Sequence, residues 1–241
     1  MTLTFYKDNM ELLNSCVLWY TGRSETNLGF PIMPVTVVVT PTGSWSNDLS
    51  LGNNKILKTF DGSTNYISLT DNAAWDLWTG TNATCCVWIK YANITSFKTI
   101  IQQKEDLDTY WYISGVPGIS KLTLVGRATD ASYAFYYECP FTQSSDTWYH
   151  VTIVKSGSSC LMYINGVPQP VTATQTWSAL SCNATLDIGL YATTYYAGNI
   201  KDLMLYGRAL TQVEITTLMR MTNPTTGREF ELLYPGIRGV E

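Results

Sequence analysis

The chain has 241 residues, Lys+Arg 15 against Asp+Glu 19, a formal charge of -4 and only 14% charged residues. An acidic, charge-poor chain neutralises few phosphates, which excludes nucleic acid as a partner, and an apolar content of 45% excludes intrinsic disorder. Aromatic residues at 13% take the place of the missing charge, and the length predicts one domain over 1–241.

The N-terminus, Met1-Thr2-Leu3-Thr4-Phe5-Tyr6-Lys7-Asp8, has neither the basic leader nor the apolar core of a signal peptide. No stretch approaches the roughly 18 apolar residues of a membrane helix, so membrane insertion is not expected. Short β-branched and aromatic runs then recur between Gly, Pro, Asn and Ser clusters. They predict strands at about 15–20, 35–40, 55–60, 65–69, 84–91, 98–103 and 109–113, then at 120–126, 131–138, 147–154, 160–164, 184–190 and 199–206. Intervals this short leave no room for crossover helices, so the sheets must be antiparallel. Asn165-Gly166 marks a hairpin, because both residues tolerate the positive φ of a type I′ turn.

One helix is predicted, near 211–221. Thr211-Gln212-Val213-Glu214 fits a capping box, Ile215, Leu218 and Met219 fall on one stripe, and Asn223-Pro224 stops it. The pattern is that of an all-β, two-sheet antiparallel jelly-roll sandwich with one short C-terminal helix. Its six cysteines (Cys16, Cys85, Cys86, Cys139, Cys160, Cys182) include no C-x-x-C, and His150 is the lone imidazole, which argues against zinc. Adjacent Cys85 and Cys86 point to opposite faces of a strand, so buried, reduced thiols are expected. The sequons at Asn82, Asn93 and Asn183 carry no weight in a chain this rich in Asn, Ser and Thr.

Several segments in order resemble a known family. They are Trp148-Tyr149-His150-Val151, Leu161-Met162-Tyr163-Ile164-Asn165-Gly166-Val167 and Leu186-Asp187-Ile188-Gly189. Then follows Ala197-Gly198-Asn199-Ile200-Lys201-Asp202-Leu203-Met204-Leu205-Tyr206-Gly207-Arg208-Ala209-Leu210-Thr211, with Phe60-Asp61-Gly62 and Cys86-Val87-Trp88-Ile89-Lys90 earlier. Over about 55–220 the chain resembles the laminin G-like branch of the concanavalin A-like lectin/glucanase superfamily, with 1–54 and 222–241 as flanking extensions. The resemblance implies two antiparallel sheets of about six strands, one concave, with the helix packed at the edge. A tail carrying Phe230, Leu232, Leu233 and Tyr234 is expected to dock on the sandwich or on a neighbour.

Catalysis is not expected. Glycosidic hydrolysis needs two carboxyl groups roughly 5–9.5 Å apart, and the Glu-x-Asp-x-Glu strand of the glucanase relatives is missing. Glu105-Asp106-Leu107-Asp108 reads as a solvated hairpin turn. His150 has no nucleophile beside it in any recognisable motif and reads as a packed strand residue. No cofactor is expected. Relatives often hold Ca²⁺ at the sandwich rim, where the family's Ile-Asp-Asp is here Ile200-Lys201-Asp202; an ammonium is wrong beside a cation, which leaves Asp61 and Asp202 as the carboxylates a Ca²⁺ site would use.

Aromatic side chains are the binding signal, since their faces stack on sugars or anchor a partner protein. Trp75, Trp78, Trp177, Tyr195 and Tyr196 form the expected binding set at loops and turns, with Tyr133, Phe135, Tyr136 and Tyr137 bordering one hairpin and Tyr191 the turn before Gly198. Trp88 and Trp148 sit at inner-strand positions and read as core. Two functional readings stand. One is a non-catalytic adhesion or assembly protein on a virion surface, contacting glycans, neighbouring proteins or its own copies. The other is a secreted glycan-binding lectin in the extracellular space.

Overall fold

The computed structural model describes residue 12 and residues 16–20, 39–42, 46–48, 57–95, 97–128 and 132–224. Most of the strand expected at 35–40, and the tail with Phe230, Leu232, Leu233 and Tyr234, lie outside them.

The strands in chain order are β1 (Cys16–Tyr20), β2 (Val39–Thr42), β3 (Ser46–Asp48), β4 (Leu57–Asp61), β5 (Tyr66–Leu69) and β6 (Asn82–Tyr91). Next come β7 (Lys98–Lys104), β8 (Tyr110–Val116), β9 (Lys121–Arg127), β10 (Tyr133–Pro140), β11 (Trp148–Ser156) and β12 (Ser159–Ile164). Last are β13 (Val167–Gln169), β14 (Thr172–Gln175), β15 (Leu186–Ile188), β16 (Leu190–Tyr191), β17 (Thr194–Tyr195) and β18 (Ala197–Tyr206), followed by helix α1 (Gln212–Met221).

Two antiparallel sheets result, each of eight strands rather than about six. Sheet I runs β13-β12-β11-β6-β18-β4-β3, with β1 also on β18; sheet II runs β14-β10-β9-β8-β7-β15-β5-β2. The extra members are short edge pieces such as β13 and β14, three and four residues long and, in β13, interrupted by Pro168, too short to show an alternation. The hairpin at Asn165-Gly166 forms as expected, with φ of 52° and 74°.

Between the sheets lies a core of aliphatic and aromatic side chains, supplied by alternate residues of each strand. Strand β6 is buried on both faces because α1 covers the back of sheet I. Ile215, Leu218 and Met221 pack there on Cys86, Val154, Met204 and Tyr206; Met221 rather than Met219 completes the buried stripe. The capping box at Thr211 and Glu214 is present. All six cysteines are buried and free, and burial raises the Cys16, Cys86 and Cys182 thiols to about 12. Among the described residues no helix is long and apolar enough to cross a membrane.

Under the end of α1, His150 lies 5.1 Å edge-on from Trp88. Burial alone pushes its pKa down to about 3. Lys201 pairs with Asp202 and donates to the Thr222 carbonyl at 3.0 Å. Its ammonium thus caps the C-terminal end of the helix, where the macrodipole favours a cation. Asp202 has a φ of 47° where β18 bulges between Lys201 and Met204.

Candidate functional site

The five aromatic residues expected to bind do not form an exposed platform. Trp75, Trp78 and Tyr196 are each 0% exposed. A ring with no face in solvent offers nothing to stack on, so the expectation is corrected for these three. The segment before β6 turns back through a 3-10 turn at Ala73–Trp75, which plugs Trp75 and Trp78 into the core. Trp78 stands edge-on to Trp111 at 5.5 Å and stacks on Trp177 at 5.7 Å. Tyr196 packs on Phe60 and Tyr91 and donates to the Lys90 carbonyl at 3.2 Å. Trp177 is half-buried, with Phe135 at 4.5 Å, Tyr137 at 4.9 Å and the Lys155 ammonium 4.7 Å from its ring centre. Tyr195 is half-buried and tilted on Tyr66 at 6.2 Å.

The two carboxylates considered for Ca²⁺ are kept apart. Asp61 pairs with Ala197 across β4 and β18, and Asp202 lies farther along β18 by a strand length of about 16 Å. Asp61 accepts from the Ser63, Thr64 and Asn65 amides at 2.8–3.0 Å and from the Ser63 and Thr64 hydroxyls. Burial is the largest single influence and raises its pKa, but those hydrogen bonds together outweigh it and hold the carboxyl well below the usual range. Asp202 is committed to Lys201. No group of three or more His, Cys, Asp or Glu residues arranged for a metal occurs among the described residues. Glu105, Asp106 and Asp108 form a turn, as expected, with Asp106 accepting from the Asp108 and Thr109 amides at 2.8 and 2.6 Å.

A different surface gathers aromatic rings and polar groups: the outer face of sheet II. Alternation along β8 sends Trp111 and Ile113 into the core, so Tyr110 and Tyr112 point outward. Register then places Lys104 and Arg127 beside Tyr110, and Gln102 and Val125 beside Tyr112. Tyr136 stands across Val125, while Tyr133 pairs with Arg127. The hairpin β16–β17 brings Tyr191 onto this group, 4.9 Å from Tyr112 and 6.1 Å from Tyr110, with Phe97 5.6 Å from Tyr112. Tyr133 is 46% exposed; Tyr112, Tyr136 and Tyr191 are half-buried and keep part of each ring in solvent.

The polar residues between these rings are almost completely covered. Asp187 of β15 accepts from the Ser68 hydroxyl at 2.6 Å, the Thr185 hydroxyl at 3.1 Å and the Gln102 amide at 3.3 Å. Burial raises its pKa, and these hydrogen bonds only partly offset the rise. Gln102 is 2% exposed and Thr99 1% exposed. Gln102 Oε1 and Thr99 Oγ1 are buried without a hydrogen-bond partner. Both lie on the outer face, since Gln102 pairs with Tyr112 and Thr99 with Ser114, whose hydroxyl meets that of Thr123 at 2.7 Å. Flipping the Gln102 amide would turn an oxygen towards the Asp187 carboxylate, so the orphaned atom is an acceptor. A buried polar atom without a partner costs roughly 1–3 kcal/mol; Gln102 Oε1 lacks a donor, and the Thr99 hydroxyl, able to donate or accept, lacks a partner of either kind.

Of this group the sequence reading had singled out Tyr133, Tyr136 and Tyr191 as border residues; Phe135 and Tyr137, named with them, alternate inward along β10 and are buried in the core, which corrects that expectation. It missed Tyr110, Tyr112, Gln102, Lys104 and Asp187. The alternation Tyr110-Trp111-Tyr112 is the signal that puts two tyrosines on one face of a strand.

No curated protein matches the sequence. Domain 4 of AbnA, a GH43 extracellular arabinanase from Geobacillus stearothermophilus solved in complex with arabinotriose, superposes with a TM-score of 0.57 at 20% identity, covering 76% of this chain and 87% of that one. The receptor-binding domain of botulinum neurotoxin C/D mosaic serotype gives 0.65 at 15% identity, covering 86% and 51%. The binding domain of botulinum neurotoxin DC in complex with rat synaptotagmin II gives 0.65 at 14%, covering 87% and 52%. The chain thus spans about half the length of the toxin structures, and at these identities the likeness is one of fold. Residues 61–216, well over half of the chain, match the laminin G family described as concanavalin A-like lectin/glucanases superfamily, and the chain belongs to that family.

Proposed function

We propose that the chain is a non-catalytic glycan-binding module that works through the outer face of sheet II. The observation that carries this reading is the cluster of half-exposed rings Tyr112, Tyr136 and Tyr191 with the exposed Tyr133, set beside the half-buried Lys104 ammonium on one face of sheet II. Sugars present an apolar C–H face and a rim of hydroxyls, the complement of such a surface. The arabinotriose in the arabinanase domain supports the reading by likeness of fold.

The carboxylates support a binding role over hydrolysis. In the strands of sheet II, Asp187 and Glu138 are the outward-facing acids, and Glu138 pairs with Lys121. They stand four strands apart, about 19 Å at the usual spacing between strands, against the roughly 5–9.5 Å of a glycosidase pair. His150 lies behind the other sheet.

The test is a glycan array probed with the wild-type chain and Tyr112→Ala. Removing a central aromatic anchor is expected to cost about 2 kcal/mol, a thirtyfold loss for every glycan the wild type holds. A wild type that binds no glycan, or a variant that binds all of them as tightly, would overturn the reading. Display on a virion surface belongs to the same proposal. Labelling of intact particles tests it, and its failure would leave the glycan site standing.

A further inference from the structure

The chemistry along β7 narrows the class of sugar. Lys104 lies two residues beyond Gln102 on the same outer face, a strand distance of about 7 Å. Its ammonium is 5.3 Å from the Tyr110 ring centre and 5.2 Å from that of Tyr191. It has no carboxylate within ion-pair distance among the described residues. The ring faces attract the charge but accept few of the three N–H donors of an ammonium. Asp106, the acid in its neighbourhood, already accepts two backbone amides. Arg127, on the other side of Tyr110, lies 3.6 Å from Asp108. One end of the aromatic surface is therefore cationic and, at Lys104, short of acceptors.

We infer that this surface selects carboxylate-bearing sugars: the acid group meets Lys104 Nζ, while the apolar face of the ring rests on the exposed parts of Tyr112 and Tyr191. The inference rests on the glycan-binding reading above and adds the ligand class. A neutral sugar gives the ammonium only a weak partner; an acidic one supplies a charge-assisted hydrogen bond, about twice as strong as a neutral bond. Arabinotriose, the ligand of the arabinanase domain, carries no acid group, so that likeness does not dictate this preference.

Titration calorimetry with two matched pairs tests it: 3′-sialyllactose against lactose, and trigalacturonate against galactotriose. For the wild type the acidic member of at least one pair is expected to bind tenfold or more tightly than its neutral parent. Lys104→Gln should remove that advantage, Lys104→Arg should keep most of it, and both variants should melt within a few degrees of the wild type. Equal affinity within both pairs overturns the inference and leaves the glycan reading intact. So does an acidic preference that survives Lys104→Gln. If neither pair binds while other glycans on the array do, the acidic class is wrong; if nothing on the array binds, the underlying reading falls with it.

Discussion

Replacing Trp78 with alanine separates a core ring from a binding anchor. Its indole is fully buried and touches Trp111, Phe135 and Trp177 at centroid distances of 5.5, 6.0 and 5.7 Å. Truncating a buried Trp costs roughly 3–5 kcal/mol through lost transfer energy and the cavity left behind. Each ring pair adds about 0.5–1.5 kcal/mol beyond the buried area. Against this, Trp78 Nε1 has no hydrogen-bond partner, so its removal relieves a cost of about 1–3 kcal/mol. These terms leave a net loss of about 5 kcal/mol. For a chain of this length 1 kcal/mol shifts Tm by about 2–4 °C, so the drop should be about 10–20 °C. Trp78→Phe keeps most of the ring contacts, discards the orphan N–H, and should lose under about 2 kcal/mol. Urea unfolding followed by circular dichroism reads both, with glycan affinity measured on the same samples. A Trp78→Ala protein that melts like the wild type but no longer binds glycan would refute the burial and restore the loop reading.

Other expectations follow from single contacts. His150 has a folded pKa of about 3 against an ordinary 6.5, so the unfolded chain takes up its proton first; stability is full above pH 6.5 and falls towards pH 3, by at most about 1.4 kcal/mol per pH unit. His150→Phe should flatten that limb of a stability–pH curve, and an unchanged slope would mean the imidazole is solvated. Lys201→Met breaks the buried pair with Asp202 and removes the donor to the Thr222 carbonyl, a loss of about 3–5 kcal/mol in chemical denaturation; a loss below 1 kcal/mol would deny the helix-capping role. EDTA should leave Tm within about a degree, because Asp61 is filled by its own turn and Asp202 by Lys201; a drop of many degrees would reveal a structural cation.

The architecture was legible because alternation and turn chemistry act locally. The Asn165-Gly166 hairpin, the Thr211–Glu214 capping box and long strands such as β6 and β11 form where their residues predict. The site was much less legible, for a physical reason. Whether a Trp between strands faces solvent depends on where the chain folds back, and Trp75 and Trp78 return to the core through a single 3-10 turn. The outer face of sheet II is built by register, which brings Gln102, Tyr112 and Asp187 together from three strands. Local pattern assigns faces to β8 but cannot say which strands lie beside it. Lys201 shows a middle case: its misfit to a cation site was visible in the sequence, whereas its partner at the Thr222 carbonyl depends on how α1 docks.

A crystal structure of the chain soaked with its tightest glycan from the array would locate the site outright. The sugar is expected on the outer face of sheet II, one ring against Tyr112 and Tyr191 and an oxygen within about 3 Å of Lys104 Nζ. Density for the sugar at the Trp177 end of the core, at the loop that holds Asp61, or on the back of sheet I would contradict the assignment, however tightly the glycan binds.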